Sequence, residues 1–209
     1  MKKAVIFDID GVILNSEKFY AERREQFFAT KGIELSQEVN DLFIGSNPKA
    51  MMIYLFPNDP ELQEEMRENY AHYSSELVYQ TPDYLNPDVR PLLEELTTRG
   101  IRLAIASSGN PQGIKQMLAD NQLTDYFEWV VSGEMFEESK PNPEIYQYTV
   151  AKLGLNPEEC LVVEDSTIGI TAAKAAGLEV LALQQTDYVV DQSQANARIA
   201  SLKNVLDFL

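Results

Sequence analysis

Short apolar runs punctuate the chain at Lys3–Phe7, Ile101–Ala106, Trp129–Val131, Leu161–Val163 and Glu179–Leu183. Each is too short for a stable helix and most carry β-branched residues, so they predict strands. Helical stretches lie between them, near 88–99, 110–120, 143–153 and 166–176. Asn142-Pro143 and Asn156-Pro157 each offer a capping side chain followed by proline at a first helical position. Gly100, Gly154 and Gly177 stand where helices should end. Strand–helix alternation of this kind predicts an α/β fold, a parallel sheet sandwiched between two helical layers.

Residues 15–84 break the alternation. They carry no convincing strand and read as helices at 16–31, 47–55 and 60–79, rich in Glu, Tyr, Phe and Met. A helical block inserted after the first strand predicts a cap subdomain at 15–84, with the core formed by 1–14 and 85–209. Its natural seat is over the C-terminal strand ends, where open parallel sheets place their ligands.

Composition narrows the partners. The net charge of −16 argues against affinity for nucleic acid or anionic membranes, which both need clustered Lys and Arg. After Met1-Lys2-Lys3 the apolar run breaks at Asp8, too early for a secretory segment, and no stretch approaches a membrane span. A single cysteine, Cys160, makes no internal disulfide, and a cytoplasmic setting is expected. The acidity also sets a condition: a site for an anionic substrate must concentrate positive charge locally.

Four strand ends carry the candidate chemistry. The first ends in Phe7-Asp8-Ile9-Asp10-Gly11. Two carboxylates two residues apart share a face on a strand, but a turn at Gly11 splays them. Such a pair suits Mg²⁺, which takes carboxylates and keeps several waters; alternatively it is a solvated turn. Glu164-Asp165-Ser166 follows another strand, either converging on the same metal or capping the next helix. Ser107-Ser108-Gly109-Asn110 precedes a helix, where hydroxyls and free N–H groups bind anions or cap the helix. Lys140, in Lys140-Pro141-Asn142-Pro143, is a compact charge suited to a phosphate oxygen or simply to solvent. Together they supply the parts of phosphoryl transfer: a carboxylate nucleophile, a metal site, hydroxyls and a lysine on one sheet edge.

With FDIDGV, IASSGN, SKPNPEIY and VVEDSTIGITAAKAAG in this order, the sequence resembles the haloacid dehalogenase-like hydrolase superfamily over essentially its whole length. It is most similar to the β-phosphoglucomutase-like branch of phosphatases, which implies a Rossmann-like core and a helical cap after the first motif. The resemblance implies that Asp8 attacks phosphorus and that Asp10 protonates the leaving group, then deprotonates the incoming water or hydroxyl. Ser107, Lys140 and the Ser108 backbone would hold the phosphoryl oxygens. Asp8, the main-chain carbonyl of Asp10 and Asp165 would hold Mg²⁺, with Glu164 as ligand or supporting partner. Asp10 disfavours dehalogenation, since expelled halide needs no proton. A β-phosphoglucomutase has a histidine and an arginine in its cap where this chain shows Tyr20 and Ser46-Asn47-Pro48-Lys49, and its one histidine, His72, reads as a surface residue. Hydrolysis is therefore expected, with mutase activity as the alternative. The resemblance implies a small sugar phosphate as substrate, with nucleotides and glycolytic phosphates also open, and a monomer is expected. Tyr20, Lys49 and Met51–Tyr54 are the candidates for substrate specificity.

Other classes fit less well. A receiver-type signalling domain places its phosphorylated aspartate on a middle strand and has no cap. A binding protein without activity would be expected to lack one of the motif residues, and no glycine-rich phosphate loop of a nucleotide binder is present.

Overall fold

The apolar residues of the strands alternate between two cores. The computed structural model of the chain describes residues 1–77 and 80–209. Its strands are β1 (Ala4–Phe7), β2 (Arg102–Ser107), β3 (Trp129–Ser132), β4 (Cys160–Glu164), β5 (Glu179–Leu183) and β6 (Ala197–Ile199). All pair in parallel, in the order β3-β2-β1-β4-β5-β6. On one face Val5, Phe7, Leu103, Ile105, Leu161 and Val163 pack against α5 (Val89–Thr98), α6 (Pro111–Asp120) and the C-terminal 3-10 segment Leu202–Phe208. On the other, Ala4, Ile6, Ala104, Ala106 and Val162 meet α7 (Glu144–Leu153) and α8 (Thr167–Ala175). This is the expected three-layer α/β sandwich, its strands buried on both sides.

β6 lies outside the predicted strands: it is a three-residue edge strand whose Arg198 is exposed, and it lacks a continuous apolar run. The sequence reading also over-read Asn156-Pro157. That pair opens only a single 3-10 turn, Pro157–Glu159, because β4 begins at the next residue. Gly100, Gly154 and Gly177 all take positive φ just past helix ends, as expected.

Between β1 and β2 come α1 (Glu17–Thr30), α2 (Gln37–Asp41), α3 (Pro48–Leu55) and α4 (Pro60–Glu76). Asn47 and Asp59 cap α3 and α4 through their side chains, each followed by proline at the first turn. The last two residues of the expected 60–79 helix, 78 and 79, lie outside the described residues. The block has its own core of Phe27, Phe28, Phe43, Met51, Met52, Met66 and Tyr70. Leu14 and Leu85 form an antiparallel bridge, so the chain leaves and re-enters the sheet side by side. None of the described helices is long and apolar enough to cross a membrane.

Strand order makes β1 central: the chain runs outward through β2 and β3, then crosses to β4 on the other side. The crevice at such a switch point is where parallel sheets bind ligands.

Candidate active site

β1 ends at Phe7, and the backbone turns at Gly11 with φ of 80°. A side chain there would meet the Asp165 carboxylate and the Tyr188 hydroxyl, so space and backbone both demand glycine. The turn splays the two aspartates. Asp8 Oδ1 lies 2.6 Å from Lys140 Nζ. Asp10 faces the helical block, accepting from the Ser16 hydroxyl at 2.6 Å, with the Tyr20 hydroxyl helping to hold down its carboxyl.

Lys140 follows β3, and its peptide bond to Pro141 is cis. The buried ammonium donates to Asp8, to Glu164 Oε1 at 2.7 Å and to the Ala106 carbonyl at 3.0 Å. Tyr146 on α7 donates to the same Glu164 oxygen at 2.8 Å. Glu164 Oε2 accepts from the backbone N–H groups of Asp165 and Ser166, at 3.0 and 3.2 Å, and from the Ser166 hydroxyl at 3.1 Å. A Cβ at Gly169 would overlap this carboxylate, so the first turn of α8 closes directly on it.

These contacts divide the charges. Burial opposes ionisation of Glu164, but Lys140 and the surrounding donors outweigh it and hold the carboxyl below its usual range. Asp8 goes the other way. Burial pushes it well above the usual carboxylate range, the pull of Lys140 does not offset this, and Glu164 and Asp10 repel its charge. Burial likewise raises Asp165, with repulsion from Glu164, Glu17 and Asp8. One ammonium cannot compensate all three acids, and Glu164 has first claim on it.

Oxygens of Asp8, Glu164 and Asp165 lie within 4.8 Å of one another. Three carboxylates against one lysine leave two negative charges. Asp165 Oδ2 accepts from Tyr188 at 2.5 Å, whereas its Oδ1 is buried without a hydrogen-bond partner. An orphaned acceptor beside a second raised carboxylate fits a hard divalent cation. Asp8 and Asp165 could ligate it directly, with Glu164, engaged on both oxygens, beside them.

Over this floor lies a cavity of roughly 220 Å³, lined by Asp8, Asp10, Glu17, Tyr20, Arg23, Arg24, Met51, Ser108 and Glu134 among others. It adjoins a cleft of roughly 1200 Å³ between α3, α4 and residues 133–142, bordered by Lys49, Arg67 and Lys140. The structure thus brings Asp8, Lys140, Glu164 and Asp165 together, with Asp10, Ser108 and Tyr20 on the same cavity. Ser107 is set slightly apart. Its hydroxyl accepts from Gly109 N–H at 3.1 Å and borders a neighbouring space shared with Asp10 and Tyr20. The Ser108 hydroxyl donates to the Gly45 carbonyl at 2.8 Å, tying the sheet to the helical block. Lys49 reaches only the outer cleft and donates to the Glu137 carbonyl at 3.0 Å. Of Met51–Tyr54, Met51 lines the inner cavity, Met52 lies in the block's core, and Ile53 and Tyr54 are exposed. His72 is exposed beside Glu76.

Glu17, Arg23, Arg24, Tyr146 and Tyr188 escaped the sequence reading. Glu17 and Arg24 stand three before and four after Tyr20, on its helix face, so the helical repeat held a signal for them. Tyr188 comes from a loop after β5 and had none. Glu17 Oε1 accepts from Gly45 N–H at 3.1 Å, whereas Oε2 is buried and unpartnered. Burial and the charge of Asp10 push this carboxyl up to about 7, against the pull of Arg24 and the Gly45 hydrogen bond.

The chain is similar to a phosphorylated carbohydrates phosphatase of Thermotoga maritima, 31% identical over 180 residues that cover 85% of this chain and 82% of the relative. It is 29% identical over 192 residues to a β-phosphoglucomutase of Bacillus subtilis, covering 88% of this chain and 84% of that one. A haloacid dehalogenase-like hydrolase structure from Bacteroides fragilis superposes with a TM-score of 0.85 over 98% of this chain and all of its own, at 23% identity, a likeness of fold. Haloacid dehalogenase-like hydrolases as a family match residues 5–183, the span that carries the strand-end acids and the lysine between them, and the chain belongs to that family.

Proposed function

We propose that this phosphatase hydrolyses the phosphomonoester of a small phosphorylated metabolite, a sugar phosphate first of all, through an aspartyl-phosphate intermediate. The observation that carries the reading is the division between the two aspartates. Asp8 sits on the buried floor beside Lys140, placed to attack phosphorus, while Asp10 turns away toward the helical block. Burial raises the Asp10 carboxyl despite hydrogen bonds from Ser16 and Tyr20 and the charge of Arg23, as a general acid requires. As Asp8 Oδ bonds to phosphorus and the ester P–O bond breaks, Asp10 gives its proton to the departing alkoxide. It then takes a proton from the water that attacks the aspartyl phosphate. Ser107, the Ser108 backbone and Lys140 hold the phosphoryl oxygens. Mg²⁺, held by Asp8, Asp165 and the main-chain carbonyl of Asp10 with Glu164 in support, supplies charge neutralisation when bound. Residues 15–84 act as a cap whose closure excludes water, and Tyr20 and Lys49 contribute to specificity.

The test is phosphate release from β-glucose 1-phosphate, glucose 6-phosphate and other phosphomonoesters with Mg²⁺, alongside Asp8→Asn and excess EDTA. Release that both controls abolish is expected. Undiminished release by Asp8→Asn would sink the nucleophile, undiminished release in EDTA the metal, and glucose 6-phosphate formed from the 1-phosphate would make the enzyme a mutase.

A further inference from the structure

Arg23 lies on α1, one turn beyond Tyr20, and borders both the inner cavity and the outer cleft. Its Nε donates to the Tyr70 hydroxyl at 3.0 Å. The guanidinium carbon stands 4.6 Å from the centre of the Tyr20 ring and 5.2 Å from that of Tyr70. With the Phe19 ring 5.7 Å away as well, the side chain is held by one hydrogen bond and three rings, and among the described residues its two terminal nitrogens have no hydrogen-bond partner. Among the described residues it forms no salt bridge. Of the other cations, Arg24 donates to Asn40 at 2.8 Å, Arg67 to Glu64 at 2.9 Å and Lys49 to the Glu137 carbonyl at 3.0 Å, while Lys140 serves the floor with Asp8 and Glu164.

We propose that Arg23 is a specificity-determining residue that grips a second anionic group of the substrate, a carboxylate or a further phosphate, beyond the phosphoryl being cleaved. The inference rests on the hydrolase reading above. A planar guanidinium matches either oxyanion with paired N–H donors, and stacking on aromatic rings reduces the entropy lost on binding. Asp8, Asp10, Glu17 and Glu134 already line the cavity with acceptors that a neutral polyol would use. Such a ligand would leave the held guanidinium without its matching charge, whereas a second anion would answer it.

Two pairs of esters isolate the second group: 3-phosphoglycerate against glycerol 3-phosphate, and fructose 1,6-bisphosphate against fructose 6-phosphate. The readout is the ratio of kcat/KM within each pair, so any general loss of activity cancels. Wild type should favour the member with the second anionic group in at least one pair by about 10- to 100-fold, mostly through KM, as a charge-assisted bidentate contact allows. The pair that shows it tells carboxylate from phosphate. R23Q should collapse that ratio and R23K should restore part of it. An R23Q ratio equal to wild type would overturn the proposal, because a role limited to setting the charge of Asp10 slows both members alike. A wild-type ratio near or below one in both pairs would overturn it too. No release from any of the four esters would overturn the hydrolase reading itself.

Discussion

Burial outweighs what Arg24 and Gly45 N–H offer the Glu17 carboxylate, and the cost can be read from pH. Its residue is 4% exposed, one oxygen meets only Gly45 N–H and the other meets nothing. Its carboxyl stands at about 7 in the folded chain, against an ordinary value of 4.5. Between those values the folded chain keeps a proton that the unfolded chain has lost. Stability therefore falls as pH rises through this window and stays lower above it. A gap of roughly 2.5 pH units corresponds to about 3 kcal/mol. Glu17→Gln keeps an acceptor for Gly45 and carries no charge at any pH. Its amide lacks a partner where Oε2 stood, a penalty of about 1–3 kcal/mol, but this one does not vary with pH. The stability difference between E17Q and wild type should move by about 3 kcal/mol in favour of E17Q between about pH 4.5 and 8. Urea unfolding followed by Trp129 fluorescence, with EDTA in every sample, measures it. Parallel stability profiles for the two proteins would refute the reasoning, whatever the offset between them.

Lys140→Met leaves Asp8 and Glu164 buried without their shared cation, so metal-free stability at pH 7 should drop by about 3–5 kcal/mol in urea unfolding. The loss should shrink in acid, since Glu164, held low in the native protein, gives up its stabilisation as it takes a proton. Asp8→Asn should behave oppositely: burial already disfavours the Asp8 charge, so the thermal midpoint in EDTA should hold or rise even though turnover stops. Gly169→Ala puts a methyl group into the Glu164 carboxylate. It should cost about 1–3 kcal/mol as overpacking does, and it should lower kcat by shifting Glu164 away from Lys140. Wild-type kcat in this variant would show that the Glu164–Lys140 contact does not matter to turnover.

The core was legible because its strands are buried on both faces and so read as uninterrupted apolar runs. β1 and β4 announced themselves this way, and the acidic residues that end those runs fall at the switch point by topology alone. β6 could not be seen: an edge strand of three residues needs little apolar content. The floor of the site was legible for the same reason as the strands, since Asp8, Glu164 and Asp165 are fixed to strand ends. The wall was not. The helical repeat puts 17, 20 and 24 on one face, but that this face and Arg23 turn to the cavity depends on the rotation with which α1 packs. Lys49, a specificity candidate from its place in the chain, borders only the outer cleft, where α3 turns it.

What remains is a matching of charges in a strongly acidic protein. Glu164 takes Lys140, and the donors around it leave no oxygen free. Asp8 and Asp165 then remain as buried acids raised by burial and by each other, a demand that a divalent cation satisfies more fully than any single lysine could. Arg23 stands further out, held in place and, among the described residues, in no salt bridge. Positive charge is thus supplied in steps along the route from the cleft to the floor. A second anion at the Arg23 step would bring the phosphoryl group toward Asp8 with its remote end already neutralised. The acidic surface, which lowers affinity for anions in general, would then act as a filter that favours phosphate esters carrying a correctly spaced second anionic group.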